Sequence, residues 1–74
     1  MLLEFDTYIF NKNADEHGNH EVHKDYCKYC PLPENQVTIG YFSSCQDAIK
    51  QAKFEYPNTS FDGCIFCSAP CHQG

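Results

Sequence analysis

Two chelating pairs set the strongest limit on what this chain can fold into. His23-Lys24-Asp25-Tyr26-Cys27 contributes a His-x-x-x-Cys pair, and Asp62-Gly63-Cys64-Ile65-Phe66-Cys67 contributes a Cys-x-x-Cys pair far along the chain. Each spacing lets two soft donors reach one ion, and a fold that joins two such pairs completes the four-coordinate tetrahedral shell of zinc. The chain needs that closure. At 74 residues its own core supplies only about 3–5 kcal/mol, so a staple is expected. We expect a single zinc-binding domain over residues 1–74.

The donors within the two pairs are not equivalent. In Cys64-x-x-Cys67 the turn aims both sulfurs at one point, and the amides of Ser68 and Ala69 are expected to donate to the thiolates; Gly63, after Asp62, gives the tight turn into it. In the N-terminal segment His23, Cys27 and Cys30 compete. Cys27-Lys28-Tyr29-Cys30 repeats the Cys-x-x-Cys spacing, but Pro31 removes the amide that would support the second sulfur. The expected zinc ligands are therefore His23, Cys27, Cys64 and Cys67. Cys30, Cys71 and His72 stand as alternatives, with at most one of the adjacent Cys71 and His72 serving the ion and their terminal position favouring mobility. Cys45 falls on an apolar helical stripe and reads as core, while His17 and His20 read as solvated.

Six cysteines could instead form disulfides, and the compartment decides. Met1-Leu2-Leu3-Glu4-Phe5-Asp6 has no basic region or long apolar run, and no other segment is long and apolar enough to span a membrane. Taken as the natural start, it predicts a cytoplasmic protein with reduced thiols; an export segment upstream would reverse this and favour a disulfide protein.

Charge narrows the partners. Ten acids face five lysines, with no arginine, for a net charge of −5. Phosphate contacts and bidentate guanine recognition lean on arginine, and an acidic domain is repelled by a polyanion, so nucleic acid is a poor partner.

The pattern along the chain predicts an α+β fold, a small antiparallel sheet of about three strands with one helix. Leu3 to Phe10 reads as a strand, Asn11 to Asn19 as an exposed loop, and His20 to His23 as a returning strand with Glu21 and His23 on one face. Cys30-Pro31-Leu32-Pro33 is an extended connector. Gln36 to Phe42 is a strand with Val37, Ile39 and Tyr41 on one face. A helix follows from about Ser44 to Tyr56, capped by Ser43 with Gln46 or Ser44 with Asp47, its stripe made of Cys45, Ile49, Ala52 and Tyr56 with Ala48 beside it. Pro57 ends it, and Asn58 to Gly63 reads as a polar loop.

The order of these motifs resembles a known set. His23-x-x-x-Cys27, a strand preceded by Asn35, the helix start Phe42-Ser43-Ser44-Cys45-Gln46-Asp47-Ala48, and Asp62-Gly63-Cys64-x-x-Cys67 look like small bacterial Cys/His-rich zinc-binding proteins. More distantly, the stretch from Val22 to Cys67 is similar to the N-terminal metal-binding domain of the bacterial Ada DNA-repair protein, which holds a structural zinc. The resemblance implies zinc bound by His23, Cys27, Cys64 and Cys67, with His23 in place of the family's first cysteine. That cysteine is the thiolate that accepts a methyl group from a DNA phosphotriester, so His23, the missing arginines and a longer linker all weigh against that chemistry here.

The expected function is a small structural-zinc module that binds another protein and is not an enzyme, its exposed Tyr and Phe side chains offering the contact surface. The alternatives are a nucleic-acid-binding domain of the Ada type, or an enzyme or redox protein using Cys64 and Cys67.

Overall fold

The computed structural model describes residues 4–73. Strands β1 (Asp6–Asn11), β2 (Asn19–Lys24), β3 (Gln36–Phe42) and β4 (Ser60–Gly63) form one mixed sheet in the order β3-β1-β2-β4, with helix α1 (Cys45–Glu55) packed on it. The fold is α+β as expected, but the sheet has four strands rather than about three and is mixed rather than antiparallel, because β4 pairs in parallel with β2. Leu3, the expected start of β1, lies outside the described residues; pairing begins at Asp6 and runs to Asn11.

The hairpin of β1 and β2 is antiparallel, with Ile9 opposite His23 and Phe10 opposite Val22. Its connecting loop is ordered by Asp15, whose carboxylate accepts hydrogen bonds from the amides of His17 and Asn19 at 2.8 and 2.9 Å. Those bonds hold the Asp15 carboxyl below its ordinary value.

Side-chain alternation then divides the sheet. Tyr8, Phe10 and Val22 join Ile39 and the helix residues Cys45, Ala48 and Ala52 in the core. Ile9 and His23 are equally buried but belong to the other face, given their register. The helix lies down on its small residues: Cys45, Ala48 and Ala52 are buried, Ile49 only partly, and Tyr56, at the end of the expected stripe, meets the Phe10 ring edge-on at 5.4 Å. Between the two expected caps the structure selects Ser44, whose Oγ accepts from the Asp47 amide at 3.2 Å.

Strand β3 departs from simple alternation. Its register against β1 shifts between Tyr8 and Ile9, so that Gly40 and Thr38 face consecutive β1 residues and Ile39 is the extra one. A bulge of this kind reverses which face later residues occupy. Ile39 stays buried and Phe42 packs against the core, whereas Tyr41, expected beside Val37 and Ile39, is 66% exposed and stacks on Phe5 at 5.3 Å. Gly40 has φ +150°, and a Cβ there would come 3.0 Å from the Phe42 ring.

The expected polar loop before Cys64 contains β4 instead. Ser60-Phe61-Asp62-Gly63 pairs in parallel with β2, Val22 opposite Gly63. Parallel pairing needs a long crossover, and α1 supplies it between β3 and β4. Two short 3-10 turns, Pro33–Asn35 and Ala69–Cys71, complete the described chain. No helix among the described residues is long and apolar enough to cross a membrane.

Candidate metal centre

Parallel pairing of β2 with β4 builds the site. The last paired residues are Val22 and Gly63, so the next residue on each strand, His23 and Cys64, emerge side by side. The Cys64 amide locks this by donating to the Val22 carbonyl at 2.9 Å. Beyond Lys24 the chain turns back, the Cys27 amide donating to the Lys24 carbonyl at 3.0 Å, and Cys27 comes over the two strand ends. Cys67 closes the group from the far side of its own turn.

The four expected donors meet. His23, Cys27, Cys64 and Cys67 each offer one ligand atom, and all lie within 4.8 Å of one another. Cys27 Sγ and Cys64 Sγ are 4.0 Å apart, and Cys67 Sγ is 3.9 Å from His23 Nδ1. Around a tetrahedral zinc with ordinary bond lengths, neighbouring donors stand about 3.6–3.8 Å apart, so a small contraction suffices for these residues to hold such an ion. His23 and Cys64 are buried; Cys27 and Cys67 are half-buried.

The surroundings prepare each donor. His23 presents Nδ1 to the cluster, while its Nε2 faces the Glu21 carboxylate at 3.3 Å. A carboxylate there holds the proton on Nε2 and leaves the Nδ1 lone pair free, the arrangement typical of metal-ligating histidines. Burial lowers the His23 pKa against the opposing pull of Glu21, which favours the neutral imidazole a metal requires. Burial likewise pushes the Cys67 thiol up to about 12 and raises that of Cys64. Backbone amides work the other way. Those of Cys67 and Phe66 lower the Cys64 thiol, and that of Lys24 donates to Cys67 Sγ at 3.3 Å.

These donors differ from the expected ones. The Ser68 amide is engaged with the Cys64 carbonyl at 2.8 Å rather than with a thiolate. Gly63 too serves a different end. Its φ is not positive; it is needed for space, because a Cβ would lie 2.6 Å from both the Ser68 carbonyl oxygen and the Cys71 Cβ. Glu21 was legible as a neighbour of His23 on one strand face, but nothing in its spacing marked it as the imidazole's partner.

The alternative ligands stand elsewhere. Cys30 turns its thiol to the Lys24 carbonyl at 3.2 Å. His72 donates through Nδ1 to the Gly63 carbonyl at 3.0 Å, beside the buried Asp62 carboxylate, which accepts from the Gln73 amide at 2.7 Å. Cys71 is bonded to Cys45, with their Cα atoms 6.4 Å apart. That disulfide corrects two expectations: Cys71 is not a spare ligand, and Cys45 is not a free core thiol. It also ends the expectation that all six thiols remain reduced. The physical reason is that α1 and the last 3-10 turn pack together, which brings two sulfurs remote in sequence within bonding range.

Comparison of the chain with models of protein families, with curated proteins and with solved structures finds no match.

Proposed function

We propose that this chain is a small structural-zinc module that binds another protein, with no catalysis at the metal. The observation that carries the reading is the convergence of the His23, Cys27, Cys64 and Cys67 donors within 4.8 Å. Three sulfurs and one imidazole in near-tetrahedral spacing suit zinc better than the harder, oxygen-seeking cations. Four protein donors fill a tetrahedral shell and leave no position for water or substrate, which separates structural from catalytic zinc.

The contact surface lies on the loops that carry the donors. Tyr29 and Phe66 stack with ring centroids 4.1 Å apart, joining the two chelating segments outside the site. Phe66 is 66% exposed, and Tyr26, Leu32 and Ile65 are exposed on the same two segments. Exposed aromatic and aliphatic side chains of this kind favour a protein partner. Binding of a divalent ion by three thiolates would add one negative charge to a chain already at −5 without arginine, which speaks against nucleic acid. The resemblance to Ada-type domains supports the metal, while His23 at the methyl-accepting position argues against that transfer.

Metal analysis with native mass spectrometry of the whole chain tests the reading. One zinc per chain is expected, with loss of near-UV dichroism and chemical-shift dispersion in excess chelator. A chain that holds no metal, or that keeps both signals in chelator, overturns it.

A further inference from the structure

A cleft of about 380 Å³ opens between α1 and the C-terminal turn. Its lining includes Ile49, Phe61 and Cys71, together with Lys50 and Lys53 on the exposed flank of the helix. These are two of only five lysines in an acidic chain, and no lining residue is acidic. The Cys45–Cys71 disulfide therefore borders a cleft flanked by two lysines. Its two sulfurs are unequally accessible: Cys45 is 4% exposed, whereas Cys71 is half-buried and lines the cleft.

We propose that this cleft is a thiol–disulfide exchange site, in which a small thiol bearing carboxylates attacks the sulfur of Cys71. Attack must come at Cys71, because the packed helix shields Cys45 from an external nucleophile. Lys50 and Lys53 attract the carboxylates and raise the local concentration of an anionic thiol, while Ile49 and Phe61 offer apolar contact to its stem. The incoming thiolate forms a bond to Cys71 Sγ as the Cys71–Cys45 bond breaks. The electron pair passes to Cys45, the first residue of α1, where the positive end of the helix dipole stabilises a thiolate leaving group. A second thiolate attacks the external sulfur of the mixed disulfide and releases Cys71 as a thiolate. Solvent supplies a proton to each protein sulfur, so the protein gains two electrons and two small thiols become one disulfide. The site is separate from the four-donor cluster, and neither Cys45 nor Cys71 belongs to it.

The test uses the whole oxidised chain loaded with zinc, which shields the cluster thiols. It is treated with reduced glutathione, an anionic thiol, or with cysteamine, a cationic one. Acid-quenched samples are mapped by peptide mass spectrometry and the rates of disulfide opening compared. A glutathione-sized adduct is expected on Cys71 in the quenched wild-type chain, with the Cys45 sulfur released as a thiol. The ratio of the glutathione rate to the cysteamine rate should fall by at least about fivefold in K50E/K53E, as expected for two exposed charges. Both lysines are exposed, so this variant keeps the fold. An adduct on Cys45, no opening by glutathione, or a rate ratio unmoved by charge reversal overturns the proposal.

Discussion

The carboxylate of Glu21 lies 3.3 Å from Nε2 of His23, while Nδ1 of the same ring faces the sulfur cluster. Both residues sit on one face of β2, so the strand that supplies a donor also supplies the group that orients it. Loss of such a partner typically lowers metal affinity by about 10- to 100-fold. E21A should therefore weaken zinc binding by that amount in competition with a chromophoric chelator, with the fold retained at saturating zinc. Affinity equal to wild type would show that the pair contributes nothing to the site.

The ligand set makes a sharper division. C64S and C67S should each abolish zinc-dependent folding, and H23A should lose zinc or hold it far more weakly, because each atom belongs to the converging group. C30S and H72A should retain one zinc per chain, since their side chains are turned to the Lys24 and Gly63 carbonyls. Metal stoichiometry by native mass spectrometry decides, and retention in C64S together with loss in C30S would reassign the site.

Acidity should release the metal. Burial pushes the Cys67 thiol up to about 12, against an ordinary value of 9.0, and raises Cys64 as well, so without the ion both sulfurs keep their protons at neutral pH. In the zinc-loaded chain the thiolate is the bound form, so protons compete with the ion and stability falls as the pH is lowered. Denaturant midpoints of the zinc-loaded chain should slope down towards acid; a midpoint that stays flat as the pH is lowered would contradict this account.

The disulfide should stabilise the fold without holding the metal. It closes a separation of 26 residues, for which loop entropy gives about 3–4 kcal/mol. C45A/C71A should lose roughly that much in urea titrations while still binding one zinc. Zinc loss in this variant at temperatures where it remains folded would place Cys45 or Cys71 in the site after all.

Gly63 should tolerate no side chain. The Cβ of Ala would meet backbone on one side and Cys71 on the other at 2.6 Å, and neither can yield without moving the Cys64 turn. Overpacking of this kind costs about 1–3 kcal/mol, so G63A should lower the denaturant midpoint and weaken zinc binding together. A midpoint unchanged from wild type would mean that the close approach relaxes freely.

Local patterns carried most of the elements and the donors. Val37 and its alternating neighbours marked β3, and Ser44 before an apolar 3.6-residue stripe marked α1. The spacings of His23 with Cys27 and of Cys64 with Cys67 marked chelation, because a chelating pair is a property of a few consecutive residues. What depended on distant neighbours was not legible. Ser60-Phe61-Asp62-Gly63 has the composition of a turn and becomes β4 only because the outer edge of β2 is available to pair with it. That same pairing sets His23 beside Cys64, so the meeting of the two donor pairs was settled by sheet order and not by either motif. The bulge at Ile39 exposed Tyr41 against its alternation. Cys45 and Cys71 had no spacing to announce them, since a disulfide needs only that two sulfurs arrive together, and packing of the helix on the C-terminal turn brings them there.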